Sequence, residues 1–329
     1  MGGDFAPQAT VSGALLALKE LDSAHTIQLV GPTATVEAEL NKQLGGEHAA
    51  LQGQRSRIAI VEAPEVIGMD EKPSAAIRGK QNSSMVVGLK LQAENQSDAF
   101  VSAGNTGAQM AASVLVLRLH KGLKRPAIAT IFPTAKKPVV VLDSGATVDC
   151  GPEELVQFAW LGSVYAEDVL GRKNPAVGLL SIGEEPEKGN AAVKETHQLL
   201  VKSGVNFIGN VEGRDIPAGA CDRGPIDVVV CDGFVGNVVL KFYEAIAPFV
   251  MGTLAAAGID KQQMAAALKP LDYAQYGGAP LLGVKGISII SHGKSSPKAI
   301  MNALKAGIRA HESKMDEHIG GRLEQGAAS

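Results

Sequence analysis

One stretch carries a base, a cation and two hydroxyls directly after an apolar run. In "ISIISHGKSS" (287–296), β-branched residues lead into His292, Gly293, Lys294, Ser295 and Ser296, and Pro297 follows. Proline favours the first position of a helix, so a strand is expected to hand over to a helix here. His292 is placed to exchange a proton, with an ordinary pKa near ~6.5, or it is a structural strand-end histidine. Ser295 and Ser296 can cap the helix, and an anion can sit against the same end. The stretch is not a phosphate loop of the G-x-x-x-x-G-K-[ST] kind, because Ser288 stands where the first glycine is required.

Other clusters repeat the arrangement. "SAGNTGAQ" (102–109) brings Asn105 and Thr106 to a helix start, where free N–H groups and the dipole favour an anion or a cap. "SIGEEPEKGN" (181–190) sets Lys188 in a loop after a strand, where it balances a phosphate charge or is simply solvated. "CDGFVGN" (231–237) offers Asp232 and Asn237, and the Asn237 amide can donate to an oxyanion or cap a helix. "RLHKGLKRP" (118–126) is the densest basic cluster, with Arg118, His120, Lys121, Lys124 and Arg125. It is a docking patch for an acidic protein or a solvated loop. Neither HExxH, nor paired cysteines, nor a GxSxG elbow occurs, so neither a metal nor a serine hydrolase is indicated.

These clusters need a frame to hold them. Short, mostly continuous apolar runs alternate with helical patterns: "TIQLVG", "SRIAIVEA", "DAFVSAG", "AIATIFP", "PVVVLDSG", "AVGLLSIG", "NFIGNVEG", "DVVVCDG" and "GISIISHG". Continuous runs fit strands buried on both faces, and the alternation predicts an α/β fold with a mainly parallel, doubly wound sheet. Helices are expected at about 8–21, 34–44, 82–95, 107–119, 153–171, 190–203, 235–257, 261–269 and 297–319. Segment 204–226 is the least regular. Most strands end in glycine, and ligands of open α/β sheets bind outside such carboxyl ends. Phe242, Ile246, Phe249, Val250 and Leu254 recur at helical spacing, followed by Met264, Leu268 and Leu271, as in a core or dimer stripe.

The bulk properties narrow the classes. The 329 residues are 45% hydrophobic and 20% charged, which suits a globular chain with a real core. Aromatics at 4% and a net charge of −3 argue against nucleic-acid binding. The three cysteines are far apart, which fits a reducing cytoplasm. No apolar run reads as a membrane span, and "MGGDFAPQAT" is no signal peptide. It half-matches a myristoylation signal, but Ala6 stands where Ser or Thr is expected.

"MGGDFAP", "VSAGNTGA", "LDSGATVDC", "EEPEKGN", "CDGFVGNVVLK", "YGGAPLLGVKG" and "SHGKSS", in this order from the first residue to about 310, resemble the bacterial PlsX family. Its members are acyl-acyl-carrier-protein:phosphate acyltransferases. The resemblance implies attack of inorganic phosphate on a long-chain acyl thioester, giving acyl phosphate for phospholipid synthesis and free acyl carrier protein. It implies no cofactor and a homodimeric three-layer α/β/α fold, similar to phosphotransacetylase and isocitrate-dehydrogenase-like folds. A membrane glycerol-3-phosphate acyltransferase is the implied acceptor of the product. The expected organisation is one catalytic domain over 1–329, with a helical dimerisation and membrane tip at about 235–275 and weak peripheral membrane contact. Family members begin with a strand and an Asp before "MGGD", so the chain is expected to start late. Thr147 stands where the family usually has Asn.

Chemistry assigns His292, Asn237 and Lys188 as the catalytic set: proton exchange, oxyanion contact and charge balance. Asn105, Thr106 and Ser295 are expected to bind phosphate, and Lys121, Lys124 and Arg125 to dock the carrier protein. Phe242, Ile246 and Phe249 are expected to form the dimer or membrane helix. The alternatives are a CoA-dependent phosphate acetyl- or butyryltransferase, a nicotinamide-dependent dehydrogenase lacking its Asp ligands, and a non-enzymatic membrane-docking scaffold for lipid synthesis.

Overall fold

A computed structural model describes residues 1–260 and 273–326. The sequence reading expects one domain. Within the chain, contacts group into two compact units: Met1–Leu119 with Ala274–Asp316, and His120–Tyr273 with Glu317–Ser329.

The first unit opens with α1 (Gln8–Glu20), β1 (Ile27–Gly31), α2 (Thr33–Leu44) and β2 (Ile58–Glu62). It continues with α3 (Pro73–Gly79), α4 (Ser84–Ala93), β3 (Phe100–Ser102) and α5 (Thr106–Val116). β1 and β2 pair in parallel, with Ile27 opposite Ile58. Val11, Leu15 and Leu18 of α1 pack with Leu29 and Leu40 in a buried apolar core that stabilises this half.

The second unit holds β4 (Ala127–Ile128), β5 (Thr130–Phe132), β6 (Val139–Leu142), α6 (Pro152–Asp168), β7 (Val177–Leu180), α7 (Ala191–Leu200) and β8 (Phe207–Val211). α8 (Asp215–Ala218), β9 (Ala220–Cys221), β10 (Gly224–Pro225), β11 (Val228–Val230) and α9 (Gly233–Ala256) complete it. Its five-stranded sheet has the order β5-β6-β11-β7-β8. All neighbours are parallel except β5 against β6. Val139–Leu142 and Val228–Val230 are wholly buried, as continuous apolar runs covered by helices on both faces must be. α6 lies on β6 and β11, α7 on β7 and β8, and α9 on β6.

The chain then returns to the first unit as β12 (Ala279–Leu282), β13 (Ser288–Ile290) and α10 (Pro297–Glu312). β13 pairs with β3 in parallel and with β12 antiparallel. α11 (Met315–Gly326) follows a break at Lys314, whose φ is +56°. His318 and Arg322 tie it to Asp168 and Glu167 at 2.8 and 3.5 Å. A cleft of about 290 Å³ opens in the first unit along β1 and β3, lined by Leu29, Val30, Phe100, Val101, Ala14 and Met85. The Met1 ammonium donates to Val30 O there, and burial lowers its pKa to about 6.

α9 lies where the sequence predicts a helix, at about 235–257, but it departs from the reading that no apolar run reaches the length of a membrane span. It is long and apolar enough, by length and composition, to cross a membrane, although Lys241 and Glu244 interrupt the run in sequence. Phe242 and Phe249 are 71% and 74% exposed, so this stripe is not core within the chain. Ile246 is half-buried. The helix expected at 261–269, with Met264 and Leu268, and Leu271 lie outside the described residues.

Candidate active site

In the first unit, two strands run into helices at their carboxyl ends. β3 leads through Ala103 and Gly104 to Asn105, which starts α5. Asn105 Oδ1 accepts from Ala108 N–H at 3.0 Å, so the capping reading holds. Its Nδ2 donates to the carbonyls of Met69 and Glu71 at 3.0 Å each, and more distantly to Gly68. The buried amide is therefore fully engaged, and the part of Asn105 in this turn is to build the helix end. Thr106 stands exposed beside it, and among the described residues its backbone N–H has no partner.

β13 leads to His292–Ser296. Ser296 caps α10 by accepting from Ala299 N–H at 3.3 Å. The Ser295 hydroxyl makes no hydrogen bond among the described residues, while Ser295 N–H closes a turn onto His292 O at 2.8 Å. His292 is exposed, and its Nδ1 accepts from Lys294 N–H at 3.1 Å. That bond places the proton of the neutral ring on Nε2, so His292 presents a donor. The "MGGD" loop joins these turns: Asp4 N–H donates to Gly293 O at 2.8 Å, and Gly2 lies against Gly104.

In the second unit, the loop after β7 carries Lys188. Asn190 caps α7, taking Val193 N–H at 2.9 Å. Buried Asn210 holds the loop by donating to Glu185 O at 2.8 Å, and His197 Nδ1 lies 2.9 Å from its Oδ1. Lys188 is exposed and forms no ion pair among the described residues. Nearby Arg214 and Arg223 are instead spent on Glu184, each at 3.6 Å.

β11 leads to α9, and Asp232, not Asn237, caps it by accepting from Val235 N–H at 2.8 Å. Asn237 is exposed and free of capping duty. Against this turn lies the loop after β6, built around Asp143. Asp143 is fully buried. Its Oδ1 accepts from Ile128, Gly145 and Ala146 N–H at 2.9, 3.2 and 3.0 Å, and Oδ2 from Thr147 N–H at 2.6 Å. Burial pushes its pKa up, and the four N–H groups pull against that rise. Thr147 contributes backbone alone: its N–H goes to Asp143 and its carbonyl accepts from Gly233 N–H at 2.8 Å. A threonine in place of asparagine therefore leaves these backbone contacts intact. Sequence reasoning passed over Asp143 and Asn210; the polar residue after "PVVVL" was the one available signal for the first.

Cys150 and Cys231 lie in the same region. Burial pushes the Cys150 thiol up to about 12 and the Cys231 thiol well above its ordinary value. Neither is a thiolate nucleophile at neutral pH.

The basic cluster is less basic than its sequence. Lys124 pairs with Glu153, and Arg125 approaches Glu154 at 3.8 Å. The ion pair raises the Lys124 pKa and lowers that of Glu153. Lys121 remains exposed.

The sequence matches the model of a family described as fatty acid synthesis protein over residues 1–318. A phosphate acyltransferase from Desulforamulus reducens is 48% identical over 315 residues, covering 93% of this chain and 90% of that protein. One from Heliobacterium modesticaldum is 47% identical over 340 residues, covering 98% and 97%. Among solved structures, a branched-chain phosphotransacylase from Enterococcus faecalis superposes with TM-score 0.58 at 14% identity, covering 94% of this chain and 96% of that one. The EutD phosphotransacetylase from Staphylococcus aureus gives 0.56 at 15% identity, covering 92% and 99%. The fold expected from the strand–helix alternation is thus shared with phosphotransacetylases. On the extent of the family match and the identity to its relatives, this chain belongs to the fatty acid synthesis protein family.

Proposed function

We propose that this acyltransferase moves a long-chain fatty acyl group from acyl carrier protein to inorganic phosphate. A phosphate oxygen attacks the thioester carbonyl carbon. The carbonyl oxygen takes up the charge, the C–S bond breaks, and the carrier protein leaves as its thiolate while acyl phosphate forms. A thiolate is a good leaving group and phosphate attacks as its dianion, so the protein's work is holding charge and donating hydrogen bonds.

The observation that carries the reading is the pair of strand–helix turns at Asn105–Thr106 and His292–Ser296. Each joins a capped helix start to hydroxyl or N–H groups that no described residue uses, which suits phosphate oxygens. We assign phosphate contact to Thr106, Ser295 and the helix start that Asn105 builds. In the second unit, we assign charge balance to Lys188, which is exposed and forms no ion pair among the described residues, and oxyanion donation to the exposed amide of Asn237. The Nδ1 contact of His292 favours hydrogen-bond donation from Nε2 over proton abstraction.

Carrier-protein docking at Lys121, Lys124 and Arg125 is supported by their exposure and opposed by Glu153 and Glu154. The exposed Phe242 and Phe249 support a homodimer, with weak membrane contact on the same helix. The lability of an acyl phosphate supports its prompt hand-over, and the family resemblance implies a membrane glycerol-3-phosphate acyltransferase as the acceptor.

The test is incubation of folded protein with palmitoyl acyl carrier protein and phosphate, with acetyl-CoA and phosphate in parallel. Phosphate-dependent release of free carrier protein is expected. Turnover of acetyl-CoA with none of the carrier-protein substrate would replace this reading with the CoA-dependent one.

A further inference from the structure

We propose that Asp143 is a positioning residue for Asn237, acting through the loop 143–147. The proposal rests on the reading of Asn237 as the oxyanion donor.

A carboxylate with no exposure is unfavourable unless it is satisfied. Asp143 is satisfied entirely by backbone: four N–H groups converge on it, and its interactions among the described residues include no Lys or Arg. Its charge therefore shapes a loop. That loop meets the first turns of α9 at several points. Asp143 N–H donates to Cys231 O at 2.9 Å, and Gly233 N–H donates to Thr147 O at 2.8 Å. A Cβ on Gly233 would lie 2.6 Å from Asp143 Oδ2, and one on Gly236 only 1.9 Å from Asp143 O. Gly145, at φ +131°, faces Asn237: a Cβ there would stand 3.5 Å from both Cβ and Oδ1 of Asn237. The backbone that carries Asn237, and one side of its amide, are thus fixed by a loop wound around Asp143.

Charge adds a second consequence. Asp232 caps α9, and the Asp143 carboxylate lies beside Gly233, so the positive end of this helix already has negative charge on it. Unlike the starts of α5 and α10, it has little left for phosphate. Asn237, one turn further on, is the neutral donor that this arrangement leaves exposed.

The experiment is a double-mutant cycle with Asp143→Asn and Asn237→Ala, reading kcat and phosphate KM for release of carrier protein, with thermal unfolding alongside. Asp143→Asn sets an amide against one of the four N–H groups. It should lower kcat about tenfold or more, since small misplacements of a working group are costly, with phosphate KM nearly unchanged. Asn237→Ala should lower kcat about 10²-fold. The double variant should be no slower than Asn237→Ala alone, because the second change acts through a group already removed. Losses that multiply, or a lowered melting temperature with unchanged kcat, overturn the proposal. Wild-type turnover of Asn237→Ala overturns the oxyanion reading itself, and so fails separately. If Asp143→Asn does not fold, Gly145→Ala strains the same loop at a φ of +131° while leaving the Asp143 carboxylate in place, and its loss must likewise vanish in the Asn237→Ala background.

Discussion

Gly236 and Gly252 sit on the same helix, α9, and the structure gives opposite expectations for alanine at the two. A Cβ at Gly236 would stand 1.9 Å from Asp143 O and 3.0 Å from Cys231 Sγ. Carbon and carbonyl oxygen approach to about 3.3 Å, so roughly 1.4 Å must be recovered by moving the helix start off the loop. Neither side of that contact is a flexible side-chain end. Overpacking of this kind costs about 1–3 kcal/mol. For a protein of this size, melting should fall by roughly 1–2 °C per kcal/mol, hence by a few degrees. Displacing Asn237 by about 1 Å should also reduce turnover about 10²-fold. At Gly252 nothing lies within 4 Å of the added carbon and the backbone is helical. Alanine there should stabilise the helix by up to about 1 kcal/mol and leave turnover unchanged. Thermal unfolding and carrier-protein release on both variants decide the matter. Gly236→Ala with wild-type melting and turnover would refute the close approach, and with it the account of how Asn237 is held.

Four further outcomes follow from the same geometry. His292→Ala should slow kcat about 10²-fold, and His292→Gln should recover part of the loss if the ring acts as a donor; no recovery would return His292 to acid–base duty. Lys188→Ala should chiefly raise phosphate KM, since a cation balancing a bound anion acts in ground and transition states alike; a rise in carrier-protein KM alone would make it a docking residue. Replacing Glu153 and Glu154 by Gln should free Lys124 and Arg125, lowering carrier-protein KM at low salt and less so at high salt; an unmoved KM would place docking elsewhere. Phe242→Ser with Phe249→Ser should shift sedimentation from dimer to monomer, and a wild-type protein already monomeric would refute the dimer.

The sheet strands were legible because continuous valine and isoleucine runs have few other uses. "APLL" escaped, since Pro280 inside the run argues against a strand, yet β12 sits antiparallel to β13 with Pro280 opposite Ile289. The expected helix at 297–319 is two helices, because Lys314 turns left-handed at a point that no glycine marks. α3 and α8 were too short to show a period. At the site, the glycine-rich turns and the capping residues Asn105 and Ser296 could be read directly. The cap of α9 fell on Asp232 while the reading weighed Asn237 for it, because both types cap and only the start of the helix decides. Asp143 was invisible in role, since nothing in "VLDSGATVD" tells a carboxylate facing water from one turned inward onto four amides. The pairing of Lys124 and Arg125 with Glu153 and Glu154 joins residues about thirty apart, beyond the reach of local pattern.

The division of the chain has a consequence for how it is made. The second unit's main body is one continuous stretch, whereas the first is interrupted by it. On the ribosome, β3 emerges early, but its parallel partner β13 lies 188 residues later, from Phe100 to Ser288. At about 5–20 residues per second, β3 waits roughly ten to forty seconds for that partner. The second unit can complete its sheet within the interval. The first half of the other unit spends it with an apolar edge uncovered, and this is the period in which the nascent chain most needs protection from its neighbours.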